Sequence, residues 1–108
     1  MNNACPSFFK ACCIQAQRGG SESYYAAGYE LARHLADILE DDADREAFSK
    51  KIDIAFNEKD EKQSRELLLK VLQQHLPACI KLVPEKSQLT TFADGFLKCL
   101  EDGNSEIA

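Results

Sequence analysis

The sequence predicts an all-α protein: a compact bundle of five or six short helices around a central apolar helix that spans about residues 60–76. Apolar residues recur along the chain with the period of a helix, and no segment alternates with the period of a strand. Residues that interrupt helices stand between the periodic segments, at Gly19–Gly20, Pro77, Pro84 and Gly103. The 108 residues are 44% hydrophobic, which is enough apolar material for one small core.

The central helix is predicted from the most apolar run of the chain, which extends from Arg65 to Leu76. When this run is wound at about 100° per residue, its leucines, Val71 and His75 cover an arc of roughly 200°, against about 100° on an ordinary surface helix. A helix with so wide an apolar arc must be covered from two or three directions. We therefore expect it at the middle of the bundle. We expect Pro77 to end or kink it, because proline lacks the amide hydrogen that a helix interior needs.

The remaining helices follow from their apolar stripes and from the residues that can cap them. Serine and aspartate favour the position before a helix, where their side chains accept hydrogen bonds from unpaired backbone N–H groups. We expect Ser21 or Ser23 to cap the second helix, an aspartate of the run 41–44 to cap the third, and Ser87 to cap the last. The first helix should span about 6–18, the second should end near Asp41, the third near Asn57, and the last two should span about 78–83 and 88–101. The third of these helices should bury Phe48, Ile52, Ala55 and Phe56.

Composition limits the functional classes. The formal net charge of −5 disfavours nucleic-acid binding and anionic membranes, and it is compatible with a basic protein partner. No run of 18 apolar residues predicts a transmembrane helix, and the N-terminus does not resemble a signal peptide, since Lys10 interrupts its apolar part. Five cysteines without a C-x-x-C spacing are typical of reduced thiols, so we expect a cytoplasmic protein. Residues 1–103 should form a single helical domain, and residues 104–108 a disordered tail.

Four side chains carry atoms that zinc prefers, namely Cys12, Cys13, His34 and His75. Their spacing matches no local zinc motif, and the acidic run from Glu40 to Glu46 lacks the spacing of a calcium loop. No motif for a nucleotide, a cofactor or a catalytic triad is present in the sequence. We therefore expect no metal, no cofactor and no enzyme activity. A small enzyme that uses a cysteine with His75 or His34 is the alternative from a different class.

A second apolar stripe runs along the second predicted helix, beside its main core face. It consists of Tyr25, Tyr29, Ala32 and Ala36. One interpretation is that the first helix covers this stripe within the fold. The other is that the stripe is a protein interface, where tyrosine is enriched because it offers a large contact area with a polar tip.

The acidic turn that follows contains Glu40, Asp41, Asp42 and Asp44. Carboxylates at the start of the third helix are favourable, because they interact well with its positive N-terminal end. Glu40 and Asp41 also stand at the end of the preceding predicted helix, where negative charge is unfavourable. This conflict indicates an outside partner that supplies positive charge. We therefore predict that the stripe and the acidic turn together form the partner-binding surface.

The sequence thus favours a small acidic protein that works by binding another protein. The most concrete hypothesis is an inhibitor or regulator that occludes a partner enzyme with a basic surface, in a bacterial cytoplasm or delivered from one. A dimeric chaperone or adaptor for a secreted protein is the second hypothesis, in which the stripe pairs two copies of the chain. The cysteine-dependent enzyme is the third.

Overall fold

The computed structural model describes residues 7–19, 22–39 and 41–103, without the side chains of Glu22, Ala36 and Asp37. Every regular element in these ranges is a helix, which confirms the predicted all-α bundle. The helices are α1 (Ser7–Gly19), α2 (Glu22–Arg33), α3 (Leu35–Ile38), α4 (Asp42–Phe56), α5 (Glu61–His75), α6 (Pro77–Ile80) and α7 (Lys86–Glu101). The predicted tail, 104–108, lies outside the described residues. None of the helices in the described ranges is long and apolar enough to cross a lipid bilayer.

Aspartate side chains cap the two helices of the middle of the chain. The Asp41 carboxylate accepts hydrogen bonds from the backbone N–H groups of Ala43, at 2.8 Å, and Asp44, at 3.4 Å. Asp60 caps α5 in the same way, accepting from the N–H of Lys62 at 3.0 Å. Each cap satisfies donors that have no partner within the helix, which fixes where α4 and α5 begin.

The second predicted helix is shorter in the structure, because α2 ends at Arg33 and not near Asp41. His34 adopts a turn conformation, with φ −109° and ψ 25°, before the chain becomes helical again in α3. The His34 ring packs edge-on against Phe8 of α1 with ring centroids 4.9 Å apart, and its Nε2 lies 3.3 Å from a carboxylate oxygen of Glu30. No glycine or proline marks this position, so the pattern of the sequence did not reveal the break.

The last helix also begins earlier than predicted. Its cap is Glu85 and not Ser87, and α7 starts at Lys86. The backbone N–H of Glu85 donates to Oε1 of Gln88 at 3.2 Å, which is one half of a capping box. Pro77, by contrast, stands where the sequence predicted a helix end, since α5 stops at His75 and Pro77 is the first residue of α6.

The closest helix pair in the bundle is α2 and α7. A Cβ atom on Gly28 would overlap the backbone carbonyl of Phe92, and a Cβ atom on Gly95 would overlap the backbone carbonyl of Tyr25. Glycine at both positions therefore allows the two backbones to touch. Helix α1 packs on α2, and α4 packs on α5. The largest fully buried side chains come from all five long helices and include Phe9, Tyr24, Leu31, Phe48, Leu68, Leu72, Phe92 and Phe96.

The apolar helix α5 contributes Leu68, Val71 and Leu72 to the core, while Leu67 and Leu69 are partly buried. It packs chiefly against α4, with smaller contacts to α6 and α7. The wide apolar arc predicted from the sequence is thus covered from several sides, although the two helices in closest contact are α2 and α7. The prediction that Phe56 is buried is wrong, because this residue at the end of α4 is 40% exposed.

Candidate functional site

The first half of the tyrosine stripe of α2 lies against α7, through the backbone of Tyr25 and the hydroxyl of Tyr29. Tyr25 is 37% exposed, and its backbone carbonyl contacts Gly95. Tyr29 is partly buried, and its hydroxyl donates to Oδ2 of Asp102 at 2.9 Å. Ala32 is fully buried, so the prediction that it contacts a partner is corrected: the fold itself covers it. The Ala36 side chain lies outside the described part of the chain. Among the stripe residues whose side chains the structure describes, Tyr25 is thus the most exposed.

The acidic turn does not present one continuous charged face. Asp41 uses its carboxylate as the cap of α4. Asp42 is almost fully exposed, with a carboxylate oxygen 3.6 Å from Arg45. Asp44 is partly buried and close enough to His75 to affect its titration. Glu40 lies outside the described residues. Because the chain turns at His34, this acidic region is not a straight extension of the helix that carries the tyrosines.

Arg45 brings a positive charge to this turn from within the chain. Its Nε donates to the backbone carbonyl of Leu39 at 2.9 Å, and one of its terminal nitrogens approaches Asp42 at 3.6 Å. Part of the positive charge that we expected at this turn is thus supplied by the chain itself. The acidic turn therefore carries less evidence for an interface than its sequence indicated.

Tyr25 belongs to an open groove of about 470 Å³ that lies between α2, the end of α4, the start of α5, and α7. We call it the Tyr25 groove. Its lining residues are Tyr25, Phe56, Glu58, Glu61, Ser64, Arg65, Asp94, Leu97, Lys98 and Glu101. Of these, the sequence had identified Tyr25 alone as a candidate for binding. Phe56 could have been suspected, because a large aromatic residue stands directly before the polar turn 57–60.

The apolar part of the Tyr25 groove is formed by two exposed aromatic side chains. Tyr25 comes from α2 and Phe56 from the last turn of α4, and Leu97 of α7 adds a partly buried aliphatic side chain. The buried hydroxyl of Ser64 donates to the carbonyl of Ala55 at 2.7 Å, and this bond ties α5 to α4 beside Phe56. This bond fixes the backbone that carries the Phe56 ring, so little backbone freedom is lost when a partner binds.

Charged side chains surround the aromatic pair, and the two cations among them are already engaged. Arg65 lies 3.3 Å from an oxygen of Asp94. Lys98 lies 3.8 Å from Glu101 and 3.4 Å from Asp102, and its hydrogen bond to Asp102, together with the charges of both carboxylates, raises the pKa of Lys98. Four carboxylates and two cations line the groove, so its charge is negative.

Two of the carboxylates, Glu58 and Glu61, form no ion pair with any residue in the described ranges. Glu58 accepts a long hydrogen bond, 3.3 Å, from the backbone N–H of Asp60. Glu61 is the first residue of α5, where the positive end of the helix dipole stabilises negative charge. The side of the groove next to α5 therefore carries negative charge that no side chain of the described chain neutralises.

A second groove, of about 510 Å³, lies on the other side of α5. Its lining residues are Glu66, Leu69, Lys70, Gln73, Gln74, Ile80 and Leu89. It contains no aromatic side chain, and its one carboxylate is balanced by one lysine. It therefore offers neither the large anchors nor the charge excess of the Tyr25 groove.

Two thiols of the described chain, Cys12 and Cys99, have a pKa shifted away from the value that a nucleophile needs. Burial raises the pKa of Cys12, and the charge of Glu30 raises it further. The pKa of Cys99 is also raised, first by burial and then by Glu30 and Asp102. Cys13 and Cys79 are buried, and Cys5 lies outside the described residues. A catalytic cysteine requires the opposite, a thiolate favoured by nearby positive charge.

His75 is held at the contact between α4 and α5. Its Nε2 lies 3.1 Å from Nζ of Lys51, which also donates to Oε1 of Gln74 at 2.9 Å. The ring packs edge-on against Phe48, with centroids 5.4 Å apart. Burial lowers the pKa of His75, the charge of Lys51 lowers it further, and Asp44 acts in the opposite direction. The geometry fits a neutral imidazole whose Nε2 accepts a hydrogen bond from Lys51.

This arrangement predicts a pH dependence of stability. Because the folded-state pKa of His75 lies below its ordinary value of 6.5, the unfolded chain binds more protons at this residue when the pH falls below that value. The free energy of unfolding should therefore fall as the pH drops through 6.5, and His75 should contribute no further loss below its folded-state pKa. In urea denaturation at about pH 7.5 and about pH 5.5, we expect His75→Gln to lose less stability than the wild type.

Replacement of the other histidine, His34→Gln, is the control for this experiment, because it leaves the contact between Lys51 and His75 intact. An equal loss of stability in His75→Gln and in the wild type would show that other groups produce the pH dependence.

Among residues 7–19, 22–39 and 41–103, no three histidine, cysteine, aspartate or glutamate side chains are grouped so that they could hold a metal ion. The fold and the groove together define a small all-α bundle with an open, negatively charged aromatic groove. Comparison of the chain with protein-family models, with curated proteins and with solved structures finds no match. Its function must therefore be argued from the groove.

Proposed function

We propose that this chain is a protein-binding protein that inhibits or regulates a partner enzyme by occluding it, and that the contact is centred on the Tyr25 groove. The observation that carries the proposal is the combination of two exposed aromatic anchors, Tyr25 and Phe56, with four carboxylates and two cations in one open groove. The partner should present a basic surface, since the whole chain also carries a net charge of −5.

The two kinds of side chain would contribute to binding in different ways. Aromatic side chains at the centre of an interface supply most of its affinity, because they remove a large apolar area from water. Carboxylates at the rim accelerate the encounter with a basic partner and exclude acidic ones. Asp41 and Asp42 lie at the start of α4, at the opposite end of this helix from Phe56, and Asp41 is occupied as its cap.

Truncation of either aromatic anchor should weaken partner binding. We expect Tyr25→Ala and Phe56→Ala each to cost about 2 kcal/mol or more in binding free energy, mainly through a faster off-rate. The partner is first captured from the native source with the wild-type chain and identified by mass spectrometry. Binding of the purified partner to each variant is then measured by surface plasmon resonance, and thermal melting verifies that the variants fold.

Two exposed apolar residues outside the groove provide matched controls. Ile14 on α1 is 53% exposed, and Ile54 on α4 is 65% exposed. Ile14→Ala and Ile54→Ala should bind the partner as the wild type does. A partner that binds the groove variants as tightly as it binds these controls would contradict the proposed surface.

The same experiments separate the alternatives. If the protein is instead a dimeric chaperone or adaptor, light scattering will show a dimer that Tyr25→Ala dissociates. If it is a cysteine-dependent enzyme, one thiol will react selectively with an alkylating reagent, against the raised pKa of Cys12 and Cys99. A bacterial cytoplasm, or delivery from one, remains a prediction from the sequence.

A further inference from the structure

We infer that the Tyr25 groove receives an arginine side chain of the partner, placed against Tyr25 and Phe56 with its guanidinium group directed to Glu58 and Glu61. This inference rests on the proposed function, since it names the chemistry of the partner residue that would enter the groove. It depends on the charge pairing inside the groove, on the two aromatic rings, and on the room available between the helices.

The charge pairing indicates a cation. Arg65 is engaged with Asp94, and Lys98 with Glu101 and Asp102. The carboxylates of Glu58 and Glu61 are left without an ion pair in the described part of the chain, at the side of the groove where α5 begins. An incoming positive group would therefore complete a set of pairs and would not need to displace an existing one.

The aromatic rings favour a partner side chain that carries its positive charge at the end of a chain of methylene groups. Tyr25 and Phe56 are each more than a third exposed, so their rings are accessible from the groove. Aromatic faces attract arginine and lysine through the negative charge of the π-system, and they pack against the methylene groups of these side chains. Leu97 extends the apolar contact along α7.

A purely apolar occupant fits less well. Of the ten lining residues, six are charged, namely Glu58, Glu61, Arg65, Asp94, Lys98 and Glu101. A leucine or phenylalanine side chain in this groove would remove water from those groups and offer no hydrogen bond in return, which is unfavourable. The groove volume of about 470 Å³ is large enough for a long side chain together with part of its backbone.

Arginine fits better than lysine for two reasons. Its planar guanidinium group stacks on aromatic rings and is more weakly hydrated than an ammonium group. Its five N–H donors can also reach two carboxylates at once, whereas the lysine ammonium acts as a compact point charge. Glu58 and Glu61 belong to different parts of the backbone, the turn after α4 and the first turn of α5, so a forked donor suits them.

The test uses four short peptides of the form acetyl-Gly-X-Gly-amide, in which X is arginine, citrulline, lysine or leucine. Each is titrated into the uniformly ¹⁵N-labelled full chain, and binding is followed by the shifts of backbone amide signals in two-dimensional NMR spectra. The arginine peptide should give saturable shifts at Ser64, Leu97 and Lys98, with a dissociation constant on the order of millimolar. The citrulline peptide, which has the same shape without the charge, should bind about tenfold more weakly.

Variants of the chain locate the binding. Tyr25→Ala combined with Phe56→Ala should weaken the arginine peptide about tenfold, and Glu58→Gln combined with Glu61→Gln should do the same. The matched control is Glu46→Gln combined with Glu66→Gln, which removes two charges from α4 and α5 outside this groove. This control should bind the arginine peptide within about twofold of the wild type.

The outcomes separate this inference from the proposed function. If citrulline, lysine or leucine peptides bind as tightly as the arginine peptide, or if no peptide saturates, the inference is overturned. The arginine inference then fails even if partner capture depends on Tyr25. In that case the proposed function is still supported, but the partner residue that enters the groove is not arginine. If the arginine peptide binds selectively but Tyr25→Ala leaves partner capture unchanged, the chemistry of the groove is supported and the proposed occluding surface is wrong.

Discussion

Gly28→Ala should destabilise the folded protein by about 3 kcal/mol or more, at the upper end of what overpacking a core costs. The added Cβ would overlap the carbonyl of Phe92, which is a backbone atom and cannot rotate away. Helices α2 and α7 would have to separate along their length. At an ordinary helix position the same change stabilises by roughly 0.5–1 kcal/mol, so the sign of the effect is itself diagnostic.

Gly95→Ala should behave in the same way, since its Cβ would overlap the carbonyl of Tyr25. Urea denaturation of both single variants and of the double variant tests the shared contact. Because the first substitution already separates the helices, the double variant should cost clearly less than the sum of the two. The control is Gly19→Ala, whose Cβ would closely approach only the hydroxyl of Ser23, at the end of a side chain that can rotate.

These two variants also bear on the Tyr25 groove. Tyr25 and Leu97 line the groove from opposite helices of the same pair, so separation of α2 from α7 would change the distance between its walls. A variant that remains folded should therefore bind the partner more weakly than its stability alone predicts. If Gly28→Ala has the same free energy of unfolding as the wild type, the two helices do not touch at this point.

Leu72→Ala should cost about 2–5 kcal/mol of unfolding free energy. Leu72 is fully buried on α5. The cost has two parts: the free energy gained by removing its methyl and methylene groups from water is lost, and a cavity remains in the core. Leu68→Ala should fall in the same range, because Leu68 is equally buried. A domain of this size has a total stability of only about 5–15 kcal/mol, so either variant should melt at a much lower temperature.

Leu69 on the same helix provides the comparison. It is partly buried and lines the second groove, so Leu69→Ala should cost clearly less than Leu72→Ala. Leu72→Met, which nearly conserves volume, should cost less than about 1.5 kcal/mol. The free energy of unfolding is measured by urea denaturation with the slope of the transition compared between variants. Costs below about 0.5 kcal/mol at both Leu68 and Leu72 would contradict the burial of α5.

The sequence determined which segments are helical. Three signals are local: the helical spacing of apolar residues, the aspartates that cap helices, and proline. Each acts within one or two helical turns, so it can be recognised from neighbouring residues in the sequence. The helical character of α4, α5 and α7, an aspartate cap for α4 and the end of α5 before Pro77 follow from them. The break at His34 does not, because the contacts there include Phe8, which lies 26 positions earlier in the sequence.

The candidate site was decided by tertiary structure. Tyr25 was recognisable from its stripe, but the stripe left open whether Ala32 is buried, and Phe56 proved exposed against its helical pattern. The helical spacing of apolar residues shows that a helix has an apolar face. It does not show which neighbouring helix covers that face, or whether the face stays open. That choice depends on contacts between distant residues, such as the approach of Gly28 to Phe92, which brings α2 against α7 and leaves Tyr25 beside the carboxylates at the start of α5.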